Sequence, residues 1–297
     1  MRRVVYTELV GGFDRLLPPL QVEPDLDYVV YSDTEAAPPA PWQLRPLACR
    51  QRNARMTARW HKLHPHLLFP DRDESLHIDA NVLIRERVSG LFDVMLQEAP
   101  LALFRHPDRE CVYDEAEVVK RVRYDDPEIV DLQMGYYRAQ GLPRRAGLYH
   151  AAAQFRRHAD PKLAAMLEDW WRQLKLFSHR DQLSLPYVLR QHAMAVAILP
   201  GGAAINSWFA TAPHERFRVE LASNPLPPEA DAGDWLRAAF IAAERERNLR
   251  RQGSWPARRQ AIVRSARAPL GRLRVEFRKY LWRRYLARLQ RAGGTSA

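Results

Sequence analysis

Short apolar segments that end in polar or glycine residues recur along the first two thirds of the chain, and they restrict the fold it can adopt. Val4 to Leu9 is rich in β-branched and aromatic residues and leads into Gly11-Gly12-Phe13-Asp14, while Asp27 to Tyr31 ends in Ser32-Asp33. Segments of helical periodicity separate such strands. This alternation over residues 1 to about 215 predicts an α/β domain with a mainly parallel sheet. In such sheets, ligands bind at the carboxyl ends of the strands.

The segment from Ser75 to Arg85 places two polar side chains inside an otherwise apolar strand. Asp79 and Asn81 interrupt it with one small residue between them. A buried carboxylate is costly unless it is paired or bound to a metal, which favours a cation site. Because Asp and Asn are also ordinary turn residues, a strand followed by a tight turn is the alternative interpretation.

A helix predicted from Arg50 to Leu68 carries four cations at spacings of three, four and three residues, which places them on one face. They are Arg52, Arg55, Arg59 and Lys62. No acid occurs between Cys49 and Asp71 to neutralise them. We therefore predict that this face binds an anion such as a phosphate group, and a solvated cationic face is the alternative.

Two later segments place acids at the starts of helices. Ser178 to Tyr187 has four consecutive polar groups before an apolar helix, and Asp181 there is either an N-terminal cap or a functional carboxylate. Tyr113 to Glu117 opens another helix. Its Asp114 and Glu115 either complement the helix macrodipole or belong to a binding site.

Positive charge is concentrated near the C-terminal end of the sequence. The formal net charge is +11, yet residues 237–291 hold 17 Lys or Arg against three acids, a local charge of +14 that leaves about −3 elsewhere. Apolar and aromatic residues recur there at helical spacing, which is typical of helices that bind an anionic membrane surface. Packing on the preceding domain or on a second subunit is the alternative. We expect no nucleic acid binding, because no recognised module accompanies the charge.

Motifs and composition narrow the class of protein further. The sequence has neither a G-x-G-x-x-G fingerprint nor a P-loop, so a Rossmann dehydrogenase or P-loop NTPase is not supported. It shows no signal peptide and no long apolar run, which predicts a cytoplasmic protein, peripheral at the inner face of the membrane if the basic segment binds lipid. The predicted domains are a catalytic domain over 1–222, a Pro-rich linker over 223–233 and a basic amphipathic helical tail over 234–297.

Seven motifs follow one another in order within residues 3 to 215. They are Val-Val-Tyr-Thr-Glu-Leu-Val-Gly-Gly-Phe-Asp at 4–14, Asp-Tyr-Val-Val-Tyr-Ser-Asp at 27–33, Lys-Leu-His-Pro-His at 62–66, His-Ile-Asp-Ala-Asn at 77–81, Phe-Arg-His-Pro at 104–107, Val-Tyr-Asp-Glu-Ala at 112–116 and Arg-Asp-Gln-Leu-Ser-Leu-Pro-Tyr at 180–187. Together they resemble nucleotide-sugar glycosyltransferases of the GT-A type. The resemblance is closer to a bacterial and plant glycosyltransferase-like family formerly described as a domain of unknown function. Ala80 stands where such proteins usually have Gly.

This resemblance implies a GT-A-like (Rossmann-like) fold, with a mainly parallel sheet flanked by helices, that transfers a sugar from a nucleotide-sugar donor to a cell-surface polysaccharide or a lipid-linked glycan. The departing nucleoside diphosphate gains negative charge, which a divalent cation or fixed Arg and Lys side chains would stabilise. Asp79, Asn81 and His214 would hold Mn²⁺ or Mg²⁺. The alternative is a metal-independent enzyme that relies on the cationic helix.

The resemblance also assigns the other candidate residues. Asp181 would act as a general base or orient the sugar, and Gln182 would help to hold the donor. The donor site would comprise Thr7, Asp33, Arg52, Arg55, Arg59, Lys62, Asp79 and Asn81, and the acceptor side Asp114, Glu115 and His150. A metal-dependent hydrolase of a lipid or glycoconjugate and a catalytically inactive GT-A-like scaffold protein are the alternative functions.

Overall fold

The structure, a computed structural model, describes residues 2–212 of the chain. Its strands are β1 (Arg3–Leu9), β2 (Asp27–Ser32), β3 (Gln43–Pro46), β4 (Glu74–Ile78), β5 (Val82–Ile84), β6 (Leu101–Arg105), β7 (Tyr149–Arg156), β8 (Ala197–Ile198) and β9 (Phe209–Thr211). Its helices are α1 (Ala54–Leu63), α2 (Pro65–Leu68), α3 (Ser89–Glu98), α4 (Val112–Arg121), α5 (Pro127–Ala139), α6 (Pro161–Leu176) and α7 (Asp181–Gln191). His214 and the predicted linker and tail lie outside the described residues.

A seven-stranded sheet in the order β3-β2-β1-β4-β7-β6-β8 forms the centre of this region. β3, β2, β1 and β4 pair in parallel, as do β6 and β8. β7 is antiparallel to both of its neighbours, β4 and β6, so the other six strands point the same way. The prediction of an α/β fold with a mainly parallel sheet is therefore confirmed. β5 and β9 form a separate antiparallel pair.

Successive side chains of the strands face opposite apolar layers, as the two-residue period of a strand requires. In β1, Val5 joins a core that includes residues of α3, whereas Val4 and Tyr6 pack with residues at the end of α2. In β6, Leu103 joins the core built by α4 to α7, while Phe104 faces the α3 side. Both faces of the sheet are thus covered, and ligand access is left to its edges and ends.

The predicted helix from Arg50 to Leu68 is wrong in its extent. α1 begins only after Asn53, whose side chain accepts a hydrogen bond from Met56 N at 2.9 Å and caps the helix. A second, one-turn helix then starts at Pro65, which suits a first helical position because it lacks an N–H donor. Arg52 consequently lies ahead of the helix and does not share a helical face with the other three cations.

The segment from Ser75 to Arg85 also divides into two elements. β4 ends at Ile78, and Val82 N donates to Asp79 O at 2.8 Å, which closes a tight turn before β5 in the other sheet. The turn interpretation is therefore correct for the backbone, and it places Asp79 at the carboxyl end of β4, beside that of β1. Along residues 2–212, no helix combines the length and the apolar character needed to cross a membrane.

Candidate active site

A cleft opens at the carboxyl ends of β1 and β4, where polar side chains from four elements meet. Asp79 follows β4, and Arg59 and Lys62 reach it from α1. Asp181 and Gln182 come from the first turn of α7, and His150 comes from β7. The fold therefore brings together residues that are separated by more than 100 positions in the sequence.

Four of these side chains form a compact ionic cluster. Lys62 Nζ lies 2.9 Å from Asp79 Oδ1 and 3.1 Å from Asp181 Oδ2, and Arg59 Nη1 lies 3.2 Å from the same Asp181 oxygen. The Lys62 side chain is 1% exposed and that of Asp181 is 5% exposed, whereas Asp79 is 33% exposed toward the cleft. Buried charges of this kind are tolerated only when they are paired, so the cluster acts as one unit.

Charge in the cluster sets the ionisation of Asp181. Burial alone would raise the pKa of its carboxyl group, but the positive charges of Arg59 and Lys62 outweigh burial and hold the pKa well below its usual range. Asp181 is therefore an anion at neutral pH. Its second oxygen, Oδ1, accepts a hydrogen bond from Gln182 N at 3.1 Å, so both carboxylate oxygens have partners.

A fully buried arginine fixes the backbone of Lys62. Arg156, in β7, donates from Nη1 to Lys62 O and from Nη2 to the hydroxyl of Tyr6, both at 2.6 Å. The Tyr6 hydroxyl lies 3.1 Å from the same Lys62 carbonyl. These contacts satisfy carbonyl groups at the C-terminal end of α1 that have no partner within the helix, and they hold the lysine in place.

A buried pair lies behind Asp79. Glu8 Oε2 is 2.8 Å from His77 Nε2, and ligand atoms of Glu8, His77 and Asp79 all lie within 4.8 Å of one another. Burial raises the pKa of Glu8 well above its usual value and lowers that of His77 well below it. These directions favour a neutral pair in which the Glu8 hydroxyl donates to His77.

The cleft consists of two adjoining recesses. The first recess contains Lys62, Asp181 and His150. The second recess lies beside the loop that follows β1 and contains Glu8, Phe13 and His179. Arg59, Asp79, Tyr124 and Arg180 line both recesses and mark their junction. An elongated ligand with an anionic middle would fit this arrangement.

Comparison with known proteins was informative for the central part of the chain. A sequence model of the TOD1/MUCI70 glycosyltransferase-like domain matches residues 48–199, just over half of the chain. The chain belongs to this family. The family resemblance of the motifs is thereby confirmed, and membership of the TOD1/MUCI70 family supports a glycosyltransferase.

The comparisons with curated proteins and with solved structures say less about the function of this protein. No curated protein matches the chain. Among solved structures, it is similar to the apo structure of the bifunctional glycosyltransferase WbbM, with a TM-score of 0.38 and 12% sequence identity. The match covers 67% of this chain and 38% of that one, so this TOD1/MUCI70-family chain spans well under half of the length of the WbbM chain.

Several residues predicted to bind the donor have other roles in this TOD1/MUCI70-family protein. Thr7 is completely buried inside β1, so its hydroxyl does not reach the cleft and its assignment to the base or ribose is wrong. Asp33 is exposed and accepts a hydrogen bond from Gly11 N at 2.9 Å, which fixes the loop beside the second recess. Asn81 is buried, and its amide donates to Ala212 O at 2.7 Å.

The other two cations of the predicted helix face, Arg52 and Arg55, contact residues that line the second recess, and Arg55 lines that recess itself. Arg52 Nη2 lies 2.8 Å from His179 Nε2, and Arg55 Nη1 donates to Tyr124 O at 3.4 Å. No acid between Cys49 and Asp71 neutralises the face, but Asp79 and Asp181 reach Arg59 and Lys62 from other elements. The spacing of residues in the sequence shows which side chains are neighbours along a helix. Asp79 and Asp181 are neighbours of Arg59 and Lys62 only in the folded chain.

The predicted acceptor residues separate in space. Asp114 is exposed and pairs with Arg144 at 2.6 Å, away from the ionic cluster. Glu115 is buried in the wall of the first recess, where Arg109 Nε lies 2.6 Å from its Oε2. His150 lines the same recess, and burial lowers its pKa to about 4, so its imidazole is neutral at physiological pH.

Sequence reasoning missed several residues that shape the cleft. Arg180 lies at the junction of the recesses, and His106 and Arg109 line the first recess. Arg180 and His106 belong to quoted motifs, which was the available signal. Glu8 also belongs to one of these motifs, at 4–14, whereas Arg156 gave no signal because it lies inside a strand-like segment.

The predicted Mn²⁺ or Mg²⁺ ligands have other partners among the described residues. Asp79 Oδ1 lies 2.9 Å from the Lys62 ammonium group, and the Asn81 amide nitrogen donates to Ala212 O, while His214 lies outside residues 2–212. Ligand atoms of Glu8, His77 and Asp79 lie close enough together to hold a metal ion. A metal ion bound through Asp79 would have to compete with the Lys62 ammonium group for that carboxylate.

Proposed function

We propose that this protein transfers a glycosyl group from a nucleotide-sugar donor to a glycan acceptor, with a cell-surface polysaccharide or lipid-linked glycan as the acceptor class. The observation that carries the proposal is the ionic cluster of Arg59, Lys62, Asp79 and Asp181, which lines the first recess and reaches the junction of the two recesses through Arg59 and Asp79. A nucleotide sugar has the matching layout, since its anionic diphosphate joins a nucleoside to a sugar. Family membership supports the same reaction class.

The second recess suits the nucleoside part of the donor. It is bordered by Phe13, whose side chain is 46% exposed and can stack on a base. Positive φ angles at Gly11 and Gly12 shape the loop that carries this ring, and the Asp33 carboxylate holds that loop. The first recess would then receive the sugar and the acceptor hydroxyl, beside Gln182 and His150.

Transfer requires cleavage of the bond between the anomeric carbon and the diphosphate oxygen, with the electron pair moving to the diphosphate. Arg59 and Lys62 are fixed donors that stabilise this developing charge without reorganisation. The acceptor hydroxyl forms the new bond to the anomeric carbon and releases its proton. Both oxygens of Asp181 are engaged by Lys62, Arg59 and Gln182 N. This geometry supports an orienting role for Asp181 over that of a general base.

Donor turnover by an Asp79 variant tests the proposal. The full-length protein is screened with UDP-, GDP- and dTDP-sugars, and release of the nucleoside diphosphate is measured with and without glycan acceptors. We expect Asp79→Ala to abolish release, because the cluster loses the carboxylate that faces the cleft. Asp71→Ala is the matched control, since Asp71 is 61% exposed and precedes β4 at the opposite end of that strand.

Two outcomes would contradict the proposal. Wild-type turnover in Asp79→Ala would place the reaction elsewhere. Rapid release of free sugar that no acceptor accelerates would instead identify the protein as a hydrolase.

A further inference from the structure

The Lys62 ammonium group lies where two carboxylates from different elements converge. Asp79 reaches it from the end of β4, and Asp181 reaches it from the first turn of α7, at 2.9 and 3.1 Å. The lysine side chain is 1% exposed and lines the first recess. Convergence of acidic oxygens from separate elements on one buried point is also how proteins hold a divalent cation.

Charge balance indicates that the position is already filled. Arg59 contacts Asp181 at 3.2 Å, so two side-chain cations face two carboxylates. A divalent ion in the place of Lys62 would raise the sum to +1, because Arg59 would remain beside Asp181. Adding such an ion to the present cluster would leave two uncompensated positive charges in a largely buried site, which is strongly unfavourable.

Lysine is normally a flexible side chain, but this one is held by its surroundings. Arg156 and the Tyr6 hydroxyl fix the Lys62 carbonyl, and Arg156 itself is completely buried. The ammonium group has three N–H donors, and the described contacts with Asp79 and Asp181 account for two. The third can meet an oxygen of an incoming diphosphate in the first recess.

We propose that Lys62 is a resident cation that takes the position of a divalent metal ion between Asp79 and Asp181, so that donor binding at this cluster needs no metal. The proposal rests on the proposed function and specifies how its site holds the diphosphate. It departs from the expectation of Mn²⁺ or Mg²⁺ at Asp79.

Direct metal binding tests the assignment without an activity assay. Mn²⁺ is titrated into metal-free, full-length protein, and free Mn²⁺ is measured by electron paramagnetic resonance, alone and with UDP, GDP or dTDP. Wild type and Asp79→Asn are expected to give the same curve in every arm. Binding of one additional Mn²⁺ by the wild type relative to Asp79→Asn would overturn the proposal. Asp79→Ser repeats the comparison if the first variant fails to fold.

Removing the lysine provides the reciprocal test. Lys62→Met keeps the length of the side chain but removes its charge, so Asp79 and Asp181 become available to a metal. We expect this variant to bind one Mn²⁺ more than Lys62→Met/Asp79→Asn does. Equal binding by these two proteins would overturn the idea that the ammonium group stands in a metal position. Lys62→Gln replaces Lys62→Met if circular dichroism shows loss of structure.

These measurements separate the two proposals. The titration with Mn²⁺ alone uses no donor, so it decides the role of Lys62 even if no nucleotide binds. Failure of every nucleotide sugar to bind or react would refute the proposed function and leave the metal comparison intact.

Discussion

Replacing Asp181 by Asn removes a buried carboxylate that faces Lys62 and Arg59 while almost preserving its shape. Each ion pair, at about 3.1 to 3.2 Å, has a gross Coulomb energy of about 5 kcal/mol at an effective dielectric constant of about 20. Most of that energy offsets desolvation of the charges. The net loss of stability in Asp181→Asn therefore depends on the positive charge that stays buried without its partner.

The contacts of Lys62 and Arg59 limit the loss of stability that we expect for Asp181→Asn. Removal of one partner of a buried ion pair costs about 3–5 kcal/mol, but Lys62 keeps Asp79 at 2.9 Å and the Arg59 side chain is 18% exposed and can regain water. We therefore expect the lower end of the range, about 3 kcal/mol, for Asp181→Asn. The free energy of unfolding is measured by urea denaturation, with the slope against urea concentration compared between proteins.

A matched control separates burial from charge pairing. Asp114 pairs with Arg144 at 2.6 Å, but the two side chains are 52% and 67% exposed. Exposed pairs contribute about 0–1 kcal/mol, so Asp114→Asn should change stability by less than about 1 kcal/mol. In Asp181→Asn/Lys62→Met, stability should recover relative to Asp181→Asn, because the buried ammonium group is gone. A loss below about 1 kcal/mol for Asp181→Asn would refute a stabilising buried cluster.

Two further predictions concern residues outside the cluster. Burial lowers the pKa of His158 from 6.5 to about 4, so the unfolded chain binds more protons than the folded chain between these pH values. The free energy of unfolding should therefore fall by about 3 kcal/mol as the pH drops from 6.5 to 4. His158→Gln should reduce this dependence on pH in urea titrations at several pH values, and an unchanged dependence would contradict the assignment. Gly11 has φ +71°, and an added Cβ would meet Ala54 Cβ at 2.9 Å, whereas Gly12 has φ +64° and open space around it. Gly11→Ala should therefore lower the free energy of unfolding by at least about 1 kcal/mol more than Gly12→Ala does. Equal thermal unfolding midpoints for the two variants would contradict this prediction.

The positions of Asp79 and Asp181 show what the sequence could predict. Asp79 follows an apolar strand, and the carboxyl ends of parallel strands share one edge of the sheet. Asp181 opens a helix that packs on the same sheet, as its apolar pattern indicates. Local pattern and general sheet rules therefore indicate two acids near one cleft. Their distances to particular cations depend on how the helices pack, which no local pattern contains.

α3, over Ser89–Glu98, shows a limit of a different kind. Its N-cap is Val88, whose side chain provides no cap, so the usual signal for the start of a helix is missing. The cap comes from Glu23 in a distant loop, whose carboxylate accepts from Val88 N at 2.6 Å and from Ser89 N at 3.3 Å. A helix that is stabilised across 65 residues of sequence is not recognisable from its own segment.

The same long-range compensation changes how the site would attract a ligand. Four cations on an open helix face would draw an anion from a distance through net charge, with strong dependence on salt. In the folded protein, Asp79 and Asp181 cancel the charges of Arg59 and Lys62, so the cluster has little net charge to act at long range. The N–H groups of Arg59 and Lys62 remain as rigid donors, and they act on a ligand only at hydrogen-bonding distance. Such a site selects a diphosphate by the placement of its oxygens, and the geometry of the cluster matters more than the number of its cations.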